Sequence, residues 1–282
     1  MPAALTHYLM AKRMYNDING KYNGINIDFN AFIWGAQGAD FLFAHRLFPW
    51  QFGESLKKYG SLIHNNSLSQ SIDIMKSAVG SNKENKFIIS YVLGFICHHT
   101  LDNICHPFVK YGVSKLNNLI PYSIELTTHT LIETNLDIIM LRYQQKILPT
   151  DFNMKCVVPK DLNVYNSMII IYSKIFKNIY NMPKANVLIL QAIKDYRFAI
   201  SLTNDKTTLK KDFLKKIEKL LKKPPYASSQ IRGITEDFGL DYANTLHKEW
   251  NWPLDSNTVK TDSFFELYEE AILKSKERIY NF

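Results

Sequence analysis

The stretch "HHTLDNICHP", residues 98–107, sets His98, His99, Asp102 and His106 into a run whose neighbours, "SYVLGFIC" and "PFV", read as a buried helix. Ionisable groups taken out of water without partners cost several kcal/mol, so any fold of this chain must supply partners for them. On a helix His98, Asp102 and His106 are spaced four and four apart and form one stripe. His99 points about 100° away from that stripe and reads as a supporting or core histidine. The segment "THTLIETNLD" repeats the pattern: His129 and Glu133 are four apart and Asp137 extends the line. Two side chains at i and i+4 can close on one metal ion. Two such helices facing each other would bring at least five nitrogen and oxygen ligands into one bundle interior. Imidazole with carboxylate and no required thiolate suits zinc in a catalytic rather than a purely structural site. For either helix alone, a polar stripe satisfied by hydrogen bonds is the competing explanation.

The rest of the chain is helical in pattern. Apolar residues recur at three and four spacings in 4–16, 54–64, 68–79, 84–105, 122–144, 160–180, 184–203, 207–222 and 261–280. Ser67, Pro121, Pro183 and Asp262 stand at helix starts. No stretch combines period-two alternation with hairpin turn chemistry, so no sheet is expected. The expected architecture is an all-α, multi-helix bundle with a metal site in its interior. It forms one domain over 1–282, with the metal motifs in 1–140 and further packing helices in 141–282.

The first twenty residues lack a signal peptide's apolar core, and "MIIIY" and "VLIL" are too short to span a bilayer. The expected compartment is the cytoplasm. Cys97, Cys105 and Cys156 are an odd count without framework spacing, which predicts reduced thiols. Cys97 and Cys105 flank the histidines and read as small buried hydrophobes rather than soft ligands. The net charge of +8 favours anionic partners, though Lys, Asn and Ile are abundant throughout. In "KTTLKKDFLKKIEKLLKKPP", Leu209, Phe213, Ile217, Leu220 and Leu221 form a stripe among lysines. A basic amphipathic helix of this kind can make peripheral contact with an anionic membrane. The commoner role, an outer helix that packs its stripe on the core, is the expectation here.

These residues also resemble a known family, the bacterial zinc-dependent phospholipases C, all-α hydrolases with a three-zinc cluster. The resemblance covers residues 1–140 in order, and "NKENKFIISYVLGFICHHTLDNICHP" is its most specific part. It implies zinc, two to three ions, and a phospholipid or other phosphate-ester substrate; nucleic acid is not favoured. Carried over, "THYLMAKRM" makes His7 a ligand of one ion, "GAQGADF" presents Asp40 at the reacting water, and "GSLIHNN" offers His64. The resemblance places His98 with Asp40 and His64, has Asp102 bridge to the ion of His7, and gives the remaining ion to His106, His129 and Glu133. In the family's secreted members the mature amino terminus ligates zinc, which after removal of Met1 would here be Pro2. His45, five residues after Asp40, competes with His64; the apolar turn "YGSLI" favours His64, because "FAHRLFPW" reads as a loop. His247, with Trp250 and Trp252, reads as packing.

The implied reaction is zinc-dependent phosphoric-ester hydrolysis through an activated water oriented by Asp40. Two other readings share these residues. A nuclease or other phosphodiesterase would set base-stacking aromatics beside the metals, with Tyr8, Trp34, Phe41, Phe43 and Trp50 as candidates. A metal-stabilised helical protein without activity would close every ion's shell with protein ligands.

Overall fold

The computed structural model describes residues 4–22, 24, 26–65, 68–82, 84–117, 119–120, 122–236, 239–253 and 255–282. Pro2, Ser67 and Pro121 lie outside them. The described chain is all-α: helices α1 (Ala4–Ile18), α2 (Phe29–Ala36), α3 (Lys57–His64), α4 (Leu68–Gly80), α5 (Lys86–Leu116), α6 (Glu125–Gln145), α7 (Leu162–Tyr180), α8 (Asn186–Leu202), α9 (Leu209–Leu220) and α10 (Phe264–Tyr280). No described helix is long and apolar enough to cross a membrane. The chain folds as two compact units, Met1–Met10 with Thr100–Met154 and Leu202–Glu277, and Ala11–His99 with Lys155–Ser201 and Arg278–Phe282.

In the second of these units α2 is the centre. Its sequence, "FNAFIWGA", is apolar apart from Asn30 and, at eight residues, too short to display a helical period, so its pattern does not announce it. The Asp28 side chain caps it by accepting the Ala31 N–H at 2.9 Å, and Ala31 through Ala36 are buried. The helix crosses α5 at two glycines. A Cβ on Gly35 would sit 2.0 Å from the Tyr91 carbonyl, and one on Gly94 would sit 2.1 Å from that of Phe32. Only hydrogen at both positions permits that approach. Trp34, fully buried, donates its indole N–H to the Pro159 carbonyl at 2.8 Å. Asp161 caps α7 through the N–H groups of Asn163 and Val164.

In the first unit α6 is pinned by a buried ion pair. Asp137 accepts the Thr6 N–H at 2.7 Å and the Thr6 hydroxyl at 2.6 Å through one oxygen, and the Arg232 guanidinium through the other. Four-residue spacing puts Asp137 on the stripe of His129 and Glu133, but this network commits its carboxylate to the protein. Trp250 packs edge-on against Phe108 and is fully buried. It begins a short antiparallel hairpin, β1 (Trp250–Trp252) with β2 (Asp255–Lys260), where no sheet was expected. Three residues are too few to show alternation, and the pairing is supported by the Lys260 ammonium 4.9 Å from the centre of the Trp252 ring. The cap of α10 is Ser263 rather than Asp262: Glu266 returns to accept the Ser263 N–H at 2.7 Å, a capping box. Helix α5 continues through Pro107, which is buried and lacks the N–H that would bond the carbonyl of Asn103, an exposed residue.

Two elements turn out differently from their patterns. Helix α9 exposes Leu209, Phe213, Leu220 and Leu221 and buries Lys211, so of the expected stripe Ile217 alone is half-buried and the rest does not pack on the core. His247 is exposed rather than packed, beside the Thr261 carbonyl and Glu266.

Arg232→Ala leaves Asp137 buried without its cation. The expected loss is about 3–5 kcal/mol of unfolding free energy, read as a lower urea midpoint with unchanged slope.

Candidate metal centre

One set of side chains lies in the unit built around α2. Asp40 opens a 3-10 helix (Asp40–Ala44), His64 is the last residue of α3, and His98 projects from α5. The His64 Nδ1 lies 2.7 Å from the Gly60 carbonyl, and the His98 Nδ1 lies 3.1 Å from that of Ala36. A carbonyl oxygen only accepts, so each Nδ1 must carry the proton, and each neutral ring then turns a bare lone pair outward at Nε2. Those two Nε2 atoms face each other at 3.0 Å, with Asp40 Oδ1 3.2 Å from one and 3.8 Å from the other.

Two nitrogen lone pairs and a carboxylate oxygen held this close repel unless a cation or a proton joins them. Ligand atoms about 2.0–2.1 Å from a tetrahedral zinc lie about 3.3 Å from one another. The donor types and spacings therefore fit a zinc ion. The carbonyl partners fix ring orientation, as outer-shell groups do for metal-binding histidines.

Several neighbours hold the set in place. Gly38 has φ +58°, and a Cβ there would meet the His98 imidazole at 2.2 Å. Its carbonyl accepts both the Tyr91 hydroxyl at 3.0 Å and the Tyr172 hydroxyl at 3.1 Å, while the two hydroxyls lie 2.9 Å apart. Burial pushes both phenols up, Tyr172 well above the usual tyrosine range, with Asp40 a further cause. These hydroxyls remain protonated donors to Gly38. None of the three was singled out from the sequence, although Tyr91 lies seven residues before His98, on the same helical face.

The segment joining Asp40 to His64 is clasped at its base. His45 accepts the Leu56 N–H at Nδ1, 3.0 Å, and the Ser55 hydroxyl at its carbonyl, 2.6 Å. Buried Asp195 takes the Arg46 N–H at 2.9 Å and the Gln51 amide at 2.7 Å. His45 thus has a clasping role. Burial, then Arg46, hold its ring below the usual histidine range.

The other unit carries the remaining candidates. His7 Nε2 on α1 lies 3.3 Å from Asp102 Oδ1 on α5, both buried. On α6, His129 Nε2 is 2.9 Å from Glu133 Oε1, and the His129 ring meets that of His106 edge-on at 5.1 Å. Burial pushes His106 down to about 3, with His129 adding to it, so its ring is neutral and able to ligate. Burial alone would raise the Glu133 carboxyl, but His129 beside it helps hold it below the usual range. Cys105, fully buried, has its thiol pushed well up and stays a packing group. His7, Asp40, His64, His98 and Asp102 all belong to groups of side chains able to hold a metal ion. His99 instead lies 3.4 Å from the Arg278 guanidinium. Of the aromatic stacking candidates, Tyr8, Trp34 and Phe41 are buried, which leaves Phe43 and Trp50 with accessible faces.

A family model described as zinc-dependent phospholipase C matches residues 6–201, well past the first half of the chain and through α8. No curated protein and no solved structure matches. Metal analysis of purified protein is expected to find about two to three zinc equivalents, and His129→Ala to lose about one of them while the His64 and His98 site stays filled.

Proposed function

The chain belongs to the zinc-dependent phospholipase C family, and on that premise we propose that it hydrolyses the phosphodiester of a phospholipid at a multi-zinc centre. The observation that carries the proposal is the facing pair of His64 and His98 Nε2 atoms beside Asp40. In this reading His64 and His98 would anchor one ion, with Asp40 beside it as a lesser ligand that faces the reacting water. His7 with Asp102 hold a second, and His106, His129 and Glu133 hold a third. Zinc, when bound, lowers the pKa of a coordinated water towards neutrality and offsets charge on the phosphoryl oxygens.

The chain's own residues do the remaining work. Asp40, at the start of a short helix and 6% exposed, is the one carboxylate of its set and is placed to orient the attacking water and accept its proton. The water oxygen bonds to phosphorus, the bond from phosphorus to the glycerol oxygen breaks, and the proton passes to that leaving oxygen. His64 and His98 keep their Nδ1 protons on Gly60 and Ala36 throughout, so their rings neither rotate nor compete for the reacting proton. Gly38 and its two tyrosines hold the floor beneath His98.

Turnover of a short-chain phosphatidylcholine, measured below its micelle concentration with zinc removed and restored, tests the activity. It is expected to require zinc. Asp40→Asn is expected to lower kcat by roughly 10²-fold or more with zinc content little changed. Near wild-type turnover in that variant would remove Asp40 from proton transfer. Cleavage of single-stranded DNA in place of the phospholipid would assign the same metals to a nuclease. Full zinc content with neither turnover would make the centre structural.

A further inference from the structure

We propose that α9 is a membrane-surface helix, a device that seats the enzyme on an anionic lipid bilayer. Leu209, Phe213, Lys216 and Leu220 follow one another at spacings of four, three and four, and so share one face of the helix. On that face Leu209 is 70%, Phe213 63% and Leu220 82% exposed, and Leu221 just beyond it is 56% exposed. The opposite side is the attached one. Lys211 is buried, and its N–H donates to Asp205 at 2.9 Å. Glu218 accepts the Ala227 N–H at 2.7 Å and also the Ser228 hydroxyl. Leu214 and Ile217 are half-buried, so α9 is fastened through Lys211, Glu218 and part of its apolar surface, while Leu209, Phe213 and Leu220 face outward, where an ordinary surface helix would turn its apolar face to the core.

The charges around the stripe decide what covers it. Lys215, Lys216 and Lys219 are exposed on or beside it, Lys222 and Lys223 follow, and Asp212 is the one exposed acid between 209 and 223. A second copy of the chain on this face would set lysines against lysines. An apolar protein groove would strip water from Lys216, which stands in the middle of the stripe. At a lipid interface Lys216 can extend its stem along the apolar surface and leave its ammonium among phosphates, as lysines do there. Leucine and phenylalanine side chains lying in the headgroup boundary, flanked by lysines facing anionic lipid, are the pattern of an interfacial helix. The purpose of this attachment rests on the phospholipid-substrate reading, but the attachment itself does not.

The full chain is to be sedimented with vesicles of phosphatidylcholine alone and of phosphatidylcholine mixed with phosphatidylglycerol. Binding is expected to the mixed vesicles at low salt and to weaken as salt screens the lysines. Phe213→Ser with Leu220→Ser, and separately Lys215→Glu with Lys219→Glu, are each expected to weaken it by about tenfold or more. Zinc content and turnover of the monomeric short-chain substrate should stay at wild-type levels in both variants, which verifies that they fold. Wild-type protein that ignores anionic vesicles at low salt would overturn the proposal, as would variants that bind like wild type. Equal binding to neutral vesicles would overturn the role given to the lysines. A dimer that the serine variants dissolve, with no vesicle binding, would assign the stripe to self-association instead. Vesicle binding without phospholipid turnover would overturn the activity proposed above and leave α9 as an attachment helix.

Discussion

Two imidazole nitrogens facing each other at 3.0 Å across a carboxylate are tolerated in a protein interior only if something positive joins them. Much of the unit built around α2 serves to impose that arrangement. The carbonyls of Gly60 and Ala36 fix the tautomers of His64 and His98. The glycine crossing of α2 and α5 brings the Ala36 carbonyl close enough to do so. Gly38 leaves room for the His98 ring, and Tyr91 with Tyr172 holds the backbone there. Asp195 and His45 clasp the segment between Asp40 and His64. A site that must hold like-polarity atoms together needs this much support, because its ligands gain nothing from one another until the cation arrives.

The chain solves the problem of buried polar groups in two distinct ways. Asp137 is satisfied by the protein itself, through Thr6 and Arg232, and so serves as a structural anchor of α6. One turn before it, Glu133 has a histidine for its neighbour, and in the proposed centre that pair would hold a metal. Both lie on one helical stripe, so their fates differ through tertiary partners alone. Helix α9 shows the converse choice, with leucine and phenylalanine left in water while a lysine is buried.

This contrast marks what was legible in the sequence. The four-residue spacing of His98, Asp102, His106, His129 and Glu133 is a local property of helices, so both stripes could be read directly. The all-α class followed from the same periodicity. Asp137 extends a stripe just as convincingly, but its partner Arg232 lies 95 residues away, beyond any local pattern. Helix α2 is apolar apart from Asn30 and too short, at eight residues, for a period to show. The hairpin strand at Trp250–Trp252 is too short to alternate. For α9 the pattern gave the stripe but not the direction it faces, since periodicity carries no information about which side meets the core. The supporting groups Gly38, Tyr91, Tyr172 and Asp195 bear no ligand signature, and only geometry connects them to the centre.

X-ray absorption at the zinc edge of the purified, metal-loaded protein examines the ligand set itself. The expected spectrum has a first shell of nitrogen and oxygen alone, at about 2.0–2.2 Å, with the outer-shell scattering of imidazole rings. A sulfur shell at about 2.3 Å would bring a cysteine into the centre, and a shell without imidazole scattering would remove the histidines. Either result would contradict the reading of His64 and His98 as a pair held open for zinc.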